Sequence, residues 1–108
     1  MHKPNLLFIC SRNEWRSRTA EALYRNDDRY NVRSGGTARG ARIRVRENML
    51  EWADRIYCME DKHRAYLIRR FGQGEWSDRI EVLGIPDLYR YMDPELVAEI
   101  KAVVEEQF

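Results

Sequence analysis

Residues 6–17 of the chain read LLFICSRNEWRS, and this stretch determines how the rest of the sequence is interpreted. Its first part, Leu6 to Cys10, is a continuous apolar run, which is typical of a central strand buried on both faces of a parallel sheet. A polar segment follows, and then a helical pattern in which Ala20, Leu23 and Tyr24 share one face. A strand, a loop and a helix in this order indicate an α/β domain.

The same alternation continues along the chain. Further strands are predicted at residues 30–33, 54–59 and 79–83, and further helices at residues 45–52, at residues 61–71 and after the pair Asp93-Pro94. This order predicts a three-layer α/β/α fold with a four-stranded parallel sheet, right-handed crossovers and helices on both faces. We expect residues 1–108 to form one domain, because domains commonly have this length. In such sheets the ligand site lies at the carboxyl ends of the strands.

Composition narrows the classes of protein that fit. The 108 residues have a formal net charge of +1, so no overall field attracts nucleic acid or a membrane. Two cysteines, Cys10 and Cys58, do not form a disulfide framework, which favours free thiols and a cytoplasmic location. Neither His2 nor His63 stands at metal-ligand spacing, so we expect no metal. The apolar run at residues 6–10 is too short for a signal peptide or a membrane span.

The segment from Cys10 to Ser17 has the parts of an anion-binding loop. It joins a strand end to a helix start, where unpaired backbone N–H groups and the helix dipole favour negative charge. A Cys at the base of such a loop is favoured as a thiolate nucleophile, and the planar fork of Arg16 can bind two phosphate oxygens. In an arginine-rich chain the Cys-x5-Arg spacing is weak alone, and a Cys that ends a buried strand is commonly a core residue.

In its context, the motif Cys10-x5-Arg16-Ser17 resembles the phosphate loop of the low-molecular-weight protein tyrosine phosphatases. The resemblance implies that Cys10 and Arg16 are catalytic, and that phosphate is bound by the loop residues Ser11, Arg12, Asn13, Glu14, Trp15, Arg16 and Ser17. It also implies a sheet order of 2-1-3-4.

Three residues are expected to support this loop. Asn13 matches the family's loop Asn in a left-handed conformation, and Ser17 matches the Ser whose hydroxyl supports the thiolate. The segment from Ser34 to Thr37 resembles the family's Ser-Ala-Gly-Thr turn, so Ser34 would brace Asn13. Two departures stand out: the chain lacks a family segment between this turn and the third strand, and Glu14 places a carboxylate beside the phosphate.

The general acid has two candidates in the segment after the fourth strand. Asp87 lies close to the strand end, and we favour it. Asp93-Pro94 copies the family's dipeptide, but Asp followed by Pro is also a common helix start. Tyr89 and Trp15 are predicted to form the walls around a substrate ring.

The sequence thus predicts hydrolysis of a phosphomonoester, with phosphotyrosine as the favoured substrate, through a cysteinyl-phosphate intermediate and without a cofactor. The expected partners are a phosphorylated protein or a small phosphoester, and we expect a monomer. Three alternatives stay open: a phosphate-binding module with little turnover, a phosphocarrier, and an arsenate reductase that would use Cys58 as a resolving thiol. The basic run of Arg39, Arg42, Arg44 and Arg46 is interpreted either as a solvated face or as a surface for acidic partners.

Overall fold

The computed structural model describes residues 3–107, so His2 lies outside the described part of the chain. The elements follow in the order β1 (Asn5–Cys10), α1 (Arg16–Tyr24), β2 (Asn31–Gly36), α2 (Glu47–Trp52), β3 (Arg55–Cys58), α3 (Asp61–Phe71), a 3₁₀ helix (Glu75–Arg79), β4 (Ile80–Val82) and α4 (Pro94–Gln107). The strands of residues 3–107 pair in parallel in the order β2-β1-β3-β4. Both the predicted parallel sheet and its strand order are confirmed.

Strand β1 occupies the centre of the sheet because its side chains are apolar on both faces. Through Leu6 and Phe8, one face packs against a cluster that includes α1 and α4. Through Leu7 and Ile9, the other face packs against a cluster that includes α2 and α3. All four side chains are completely buried, and each buried residue of this size contributes about 1.5–3 kcal/mol. The three-layer arrangement follows directly from this alternation.

Strand β2 extends further than the sequence predicts, since it continues through Ser34, Gly35 and Gly36. The two glycines indicate a turn, yet Gly36 pairs with Cys10 at the end of β1. A Cβ atom at Gly36 would lie 2.6 Å from the carbonyl oxygen of Ser11 and 2.6 Å from Cβ of Ala41. The glycine therefore lets the loop after β1 approach the strand closely, which is a packing requirement that no local pattern reveals.

Two helix ends occur where the sequence predicts them. Helix α3 ends at Phe71 and is followed by Gly72 in a left-handed conformation, with φ of 76°. At the start of α4, the backbone N–H of Glu95 donates to Oδ1 of Asp93 at 2.9 Å.

No helix within residues 3–107 combines the length and the apolar character needed to cross a membrane.

Candidate active site

The loop between β1 and α1 curls around the sulfur of Cys10. Cys10 Sγ lies 2.9 Å from Ser17 Oγ and accepts the backbone N–H of Asn13 at 3.2 Å. Asn13 has a left-handed conformation with φ of 57°, as the resemblance implied, and this turns its N–H toward the sulfur. Donors directed at the sulfur stabilise negative charge on it.

A buried hydrogen-bond network fixes these donors. Asn13 Nδ2 donates to Ser17 Oγ at 2.7 Å and to Ser34 Oγ at 2.9 Å. Because Ser17 Oγ accepts from Asn13, its own proton is left to donate to Cys10 Sγ. Ser34 in turn donates to Oε1 of Glu21 at 2.7 Å. The structure thus brings together the three predicted supporting residues, and it adds Glu21, which no motif in the sequence indicates.

The hydrogen bonds of the Arg16 guanidinium come from one of its nitrogens, Nη1. Its side chain is 2% exposed, and Nη1 donates to the carbonyl oxygen of Ile85 at 2.9 Å and to the carboxylate of Glu60. Its Nε is buried and has no hydrogen-bond partner in the structure. A buried N–H without a partner is costly, so this edge of the guanidinium is suited to an anion in the adjoining cleft.

The cleft is a cavity of about 110 Å³ at the carboxyl ends of the strands. It is lined by Cys10, Ser11, Arg12, Glu14, Trp15, Arg16 and Asp87. Asn13 and Ser17 are completely buried behind it. Glu14 does not face the thiol from within the core: its side chain is 46% exposed, and it lies 3.9 Å from Nε of the exposed Arg12.

The two candidate acids occupy different environments. Asp87 lines the cleft, and its Oδ1 lies 3.7 Å from Nε of Arg16. Asp93 accepts the N–H of Glu95 and caps α4. This arrangement supports Asp87, whose role stays a prediction.

The predicted aromatic walls separate in the structure. Trp15 lines the cleft and is 43% exposed. Tyr89 does not line the cavity, which corrects its predicted position as a wall. Instead Tyr89 packs against the core cluster that contains α4, where burial and then the charge of Glu99 raise the pKa of its hydroxyl. The physical reason is that the loop after β4 turns Tyr89 toward this apolar cluster and leaves Leu88 exposed.

Glu60 and His63, which the sequence analysis did not place in the site, connect the loop to α3. Glu60 precedes α3 and takes part in a capping box, in which its N–H donates to Nδ1 of His63 at 3.0 Å. Burial opposes ionisation of the Glu60 carboxyl, but its hydrogen bond with Arg16 and the nearby positive charges outweigh burial and lower its pKa. The available signal was position: Glu60 lies two residues after the end of β3, at the sheet edge where the site was expected.

One arginine of the basic run has a defined role in the structure. The backbone N–H of Arg42 donates to the carbonyl oxygen of Arg12 at 3.0 Å, and its Nε donates to that of Asn13 at 3.1 Å. Arg42 therefore braces the loop between β1 and α1 from outside. Within the described residues, no three side chains of the His, Cys, Asp and Glu types come together as a possible metal site.

The buried His63 should make the protein less stable in acid. Burial, followed by the positive charge of Arg16, lowers the pKa of His63 from its usual 6.5 to about 4. As the pH falls from 6.5 toward 4, the unfolded state therefore binds a proton that the folded state does not, and stability decreases. Between pH 7 and pH 5 the loss should be about 2 kcal/mol. Urea unfolding would measure it, with His63→Gln as the non-titrating reference; equal losses in the two proteins would contradict the prediction.

Comparison with known proteins finds similarity at the level of the fold. The sequence matches no protein-family model and no curated protein sequence. The structure is similar to the YwlE arginine phosphatase from Geobacillus stearothermophilus, with a TM-score of 0.73 and 19% identity over 96% of this chain and 92% of that chain. It is also similar to a low-molecular-weight protein tyrosine phosphatase from Bacillus subtilis, with a TM-score of 0.72 and 21% identity over 94% of this chain and 95% of that chain.

A third similar structure is the tyrosine phosphatase Wzb from Escherichia coli K30 in complex with phosphate. Its TM-score is 0.68 and its identity 20%, over 93% of this chain and 90% of that chain. The chain therefore has the fold of the low-molecular-weight protein tyrosine phosphatases, and the predicted fold class is confirmed. Each of these alignments spans at least 90% of both chains.

Proposed function

We propose that this protein is a cysteine-dependent phosphatase that hydrolyses phosphomonoesters. The observation that carries the proposal is that one small cleft is lined by Cys10 and by Arg16, whose buried Nε has no hydrogen-bond partner. Cys10 supplies a nucleophile and Arg16 supplies a donor for the oxygens of a phosphoryl group. The shared fold with phosphatases supports the proposal.

The reaction takes place in two steps. In the first, the Cys10 thiolate attacks phosphorus, the bond from phosphorus to the leaving-group oxygen breaks, and Asp87 gives its proton to that oxygen. In the second, the Asp87 carboxylate takes a proton from water, the water oxygen attacks phosphorus, and the bond from sulfur to phosphorus breaks. Inorganic phosphate leaves, and the thiolate and the protonated carboxyl are restored.

The other cysteine does not fit a redox mechanism. Cys58 is completely buried in β3, and burial raises the pKa of its thiol to about 12. A resolving thiol has to be accessible and ionisable, so the arsenate reductase alternative receives no support.

Both cysteines are free thiols, in agreement with the proposal that the protein works in a reducing compartment, the cytoplasm.

Hydrolysis of p-nitrophenyl phosphate tests the proposed function. The wild-type protein should release nitrophenolate without an added cofactor, and inorganic phosphate should inhibit competitively because it occupies the same cleft. A protein that binds phosphate but does not turn over would be a binding module instead. A burst of one nitrophenolate per chain without further turnover would indicate a phosphocarrier.

Replacement of Arg16 by Lys should lower kcat/KM by at least about 10²-fold, since lysine keeps the charge but loses the planar fork. Lysine also has a single donor nitrogen, so it cannot reproduce an arrangement in which Nη1 binds Glu60 and Ile85 while Nε donates to an anion. Arg18→Lys is the matched control, because the guanidinium of Arg18 is exposed and contacts the ring of Tyr91, 5.0 Å from its centroid. Near-normal activity of Arg16→Lys would mean that Arg16 is structural only.

We propose phosphotyrosine in proteins as the substrate, with Trp15 stacking on the ring at the mouth of the cleft. One observation favours a second candidate, a phosphorylated arginine: Glu14 lines the cleft and suits a cationic leaving group. The similar protein from Geobacillus stearothermophilus is an arginine phosphatase.

The variant Glu14→Gln distinguishes the two candidate substrates, phosphotyrosine and phosphorylated arginine. If the substrate is a phosphorylated arginine, this change should lower kcat/KM for phosphoarginine by about fivefold, the effect of one exposed ion pair. The value for a phosphotyrosine peptide should stay the same or rise, because a negative charge near the phosphate is removed. Equal effects on both substrates would remove the support for the arginine candidate.

A further inference from the structure

The phosphate loop is joined to α3 by a hydrogen bond between two side chains. Ser11 Oγ lies 2.9 Å from Nε2 of His63. Ser11 lines the cleft directly after the nucleophile, whereas His63 is 1% exposed and lies beneath the loop. The contact therefore connects a buried imidazole with the hydroxyl of a residue that lines the cleft.

The direction of this hydrogen bond follows from the other side of the ring. Nδ1 of His63 accepts the backbone N–H of Glu60 at 3.0 Å, and an N–H group can only donate. Nδ1 therefore carries no proton, and the one proton of a neutral imidazole lies on Nε2. Nε2 then donates to Ser11 Oγ.

This direction determines what Ser11 can do. A hydroxyl has one proton to donate, and here the proton is not used in the contact with His63. Ser11 is left as a donor toward the cleft, with its oxygen fixed in place. Because the cleft also holds Cys10 and Arg16, an oxygen of a bound phosphoryl group is the acceptor within it.

We propose that His63 is a positioning residue, which holds Ser11 so that its hydroxyl donates to a non-bridging oxygen of the phosphoryl group. This inference rests on the proposed function. It adds a side-chain donor to the backbone amides and to Arg16, and it explains why a histidine is buried beneath the loop. Its pKa of about 4 keeps the ring neutral at pH 7.

A double-mutant cycle tests the inference by kcat/KM for p-nitrophenyl phosphate and by calorimetric affinity for inorganic phosphate. Ser11→Ala and His63→Ala should each reduce both quantities by about tenfold, the effect of one hydrogen bond to a charged group. The double variant should lose little more than either single one, because both changes remove the same donor. Effects that multiply would show that the two residues act independently and would overturn the inference.

Two conservative variants separate positioning from folding. His63→Gln retains an amide N–H near the position of Nε2 and should recover most of the phosphate affinity. His63→Asn places its amide near Nδ1, where it can still serve the N–H of Glu60 but cannot reach Ser11, so it should resemble Ser11→Ala. Equal activity of the Gln and Asn variants would contradict the proposal.

The wild-type protein supplies an independent readout that needs no substitution. Nitrogen NMR of the imidazole should show the proton on Nε2, and the Nδ1–H tautomer would overturn the inference. If the protein binds phosphate without hydrolysing it, the proposed function is wrong, but the cycle still decides the role of His63 through affinity. If hydrolysis is normal and Ser11→Ala has no effect, the inference alone is wrong.

Discussion

Replacement of Cys10 by Ser should abolish the turnover of phosphomonoesters, with a loss of at least about 10⁴-fold in kcat, the scale expected when an enzyme loses its nucleophile. The contacts of Cys10 explain the size of the effect. The sulfur faces the hydroxyl of Ser17 and the N–H of Asn13, which stabilise an anion but cannot remove a proton from a neutral hydroxyl. Neither of these two groups could act as a base for a serine hydroxyl in this position.

The same variant should retain its affinity for inorganic phosphate, because Arg16 and the loop amides stay in place. Calorimetry with phosphate, beside a hydrolysis assay, separates the two effects. Cys58→Ala is the matched control: it removes the other thiol, in the core of β3, and should reduce stability while turnover per folded molecule is unchanged. If the Cys10 variant hydrolyses p-nitrophenyl phosphate at an appreciable rate, the nucleophile is a different group.

The fold could be predicted from the sequence because its signals are local. The apolar run at residues 6–10 specifies a central strand, and Gly72 and Asp93-Pro94 mark helix ends by their own backbone preferences. The extent of β2 could not be predicted in this way. Ser34-Gly35-Gly36 has the composition of a turn, and only the close approach of Ser11 and Ala41 shows why glycine continues the strand.

The residues of the candidate site likewise fall into two groups, those indicated by a local motif and those brought in from distant parts of the sequence. Cys10, Asn13, Arg16 and Ser17 lie in one short segment, so a single motif indicates them together. Glu60 is 44 positions from Arg16, and His63 is 52 positions from Ser11. Their contacts depend on which strand neighbours β1 and on how α3 is rotated, and neither property is encoded near the motif. Tyr89 is the opposite case, a residue that the sequence places in the site and the structure does not. Its aromatic ring suits the wall of a substrate cleft, but its position in the loop directs it to the core.

Arg16 shows how the fold organises the cleft. Its Nη1 binds Glu60, which follows β3, and the carbonyl oxygen of Ile85, which follows β4. The guanidinium therefore connects the loop after β1 to two other strand ends, and a shift of either strand would move the anion-binding edge. We infer that the sheet itself orients the guanidinium of Arg16. A small domain can therefore position the site with few loops.

The largest remaining effect should come from Asp87, if it protonates the leaving group. Asp87→Asn should reduce kcat for phenyl phosphate by about 10³-fold but reduce kcat for p-nitrophenyl phosphate far less, since a nitrophenolate leaves with little need of a proton. The structure supports this assignment because Asp87 faces the cleft, 3.7 Å from Nε of Arg16. Steady-state kinetics with both substrates would measure the difference.

Asp93→Asn is the matched control, because asparagine caps helices about as well as aspartate and should preserve the bond to Glu95. It should therefore leave both substrates unaffected. A leaving-group dependence in Asp93→Asn, and not in Asp87→Asn, would exchange the two roles, and α4 would then have to release its cap during each turnover. If neither variant shows the dependence, no carboxylate of this loop serves as the acid. The cleft would then bind phosphate through Cys10 and Arg16 without protonating a leaving group, and the protein would be a phosphate-binding module.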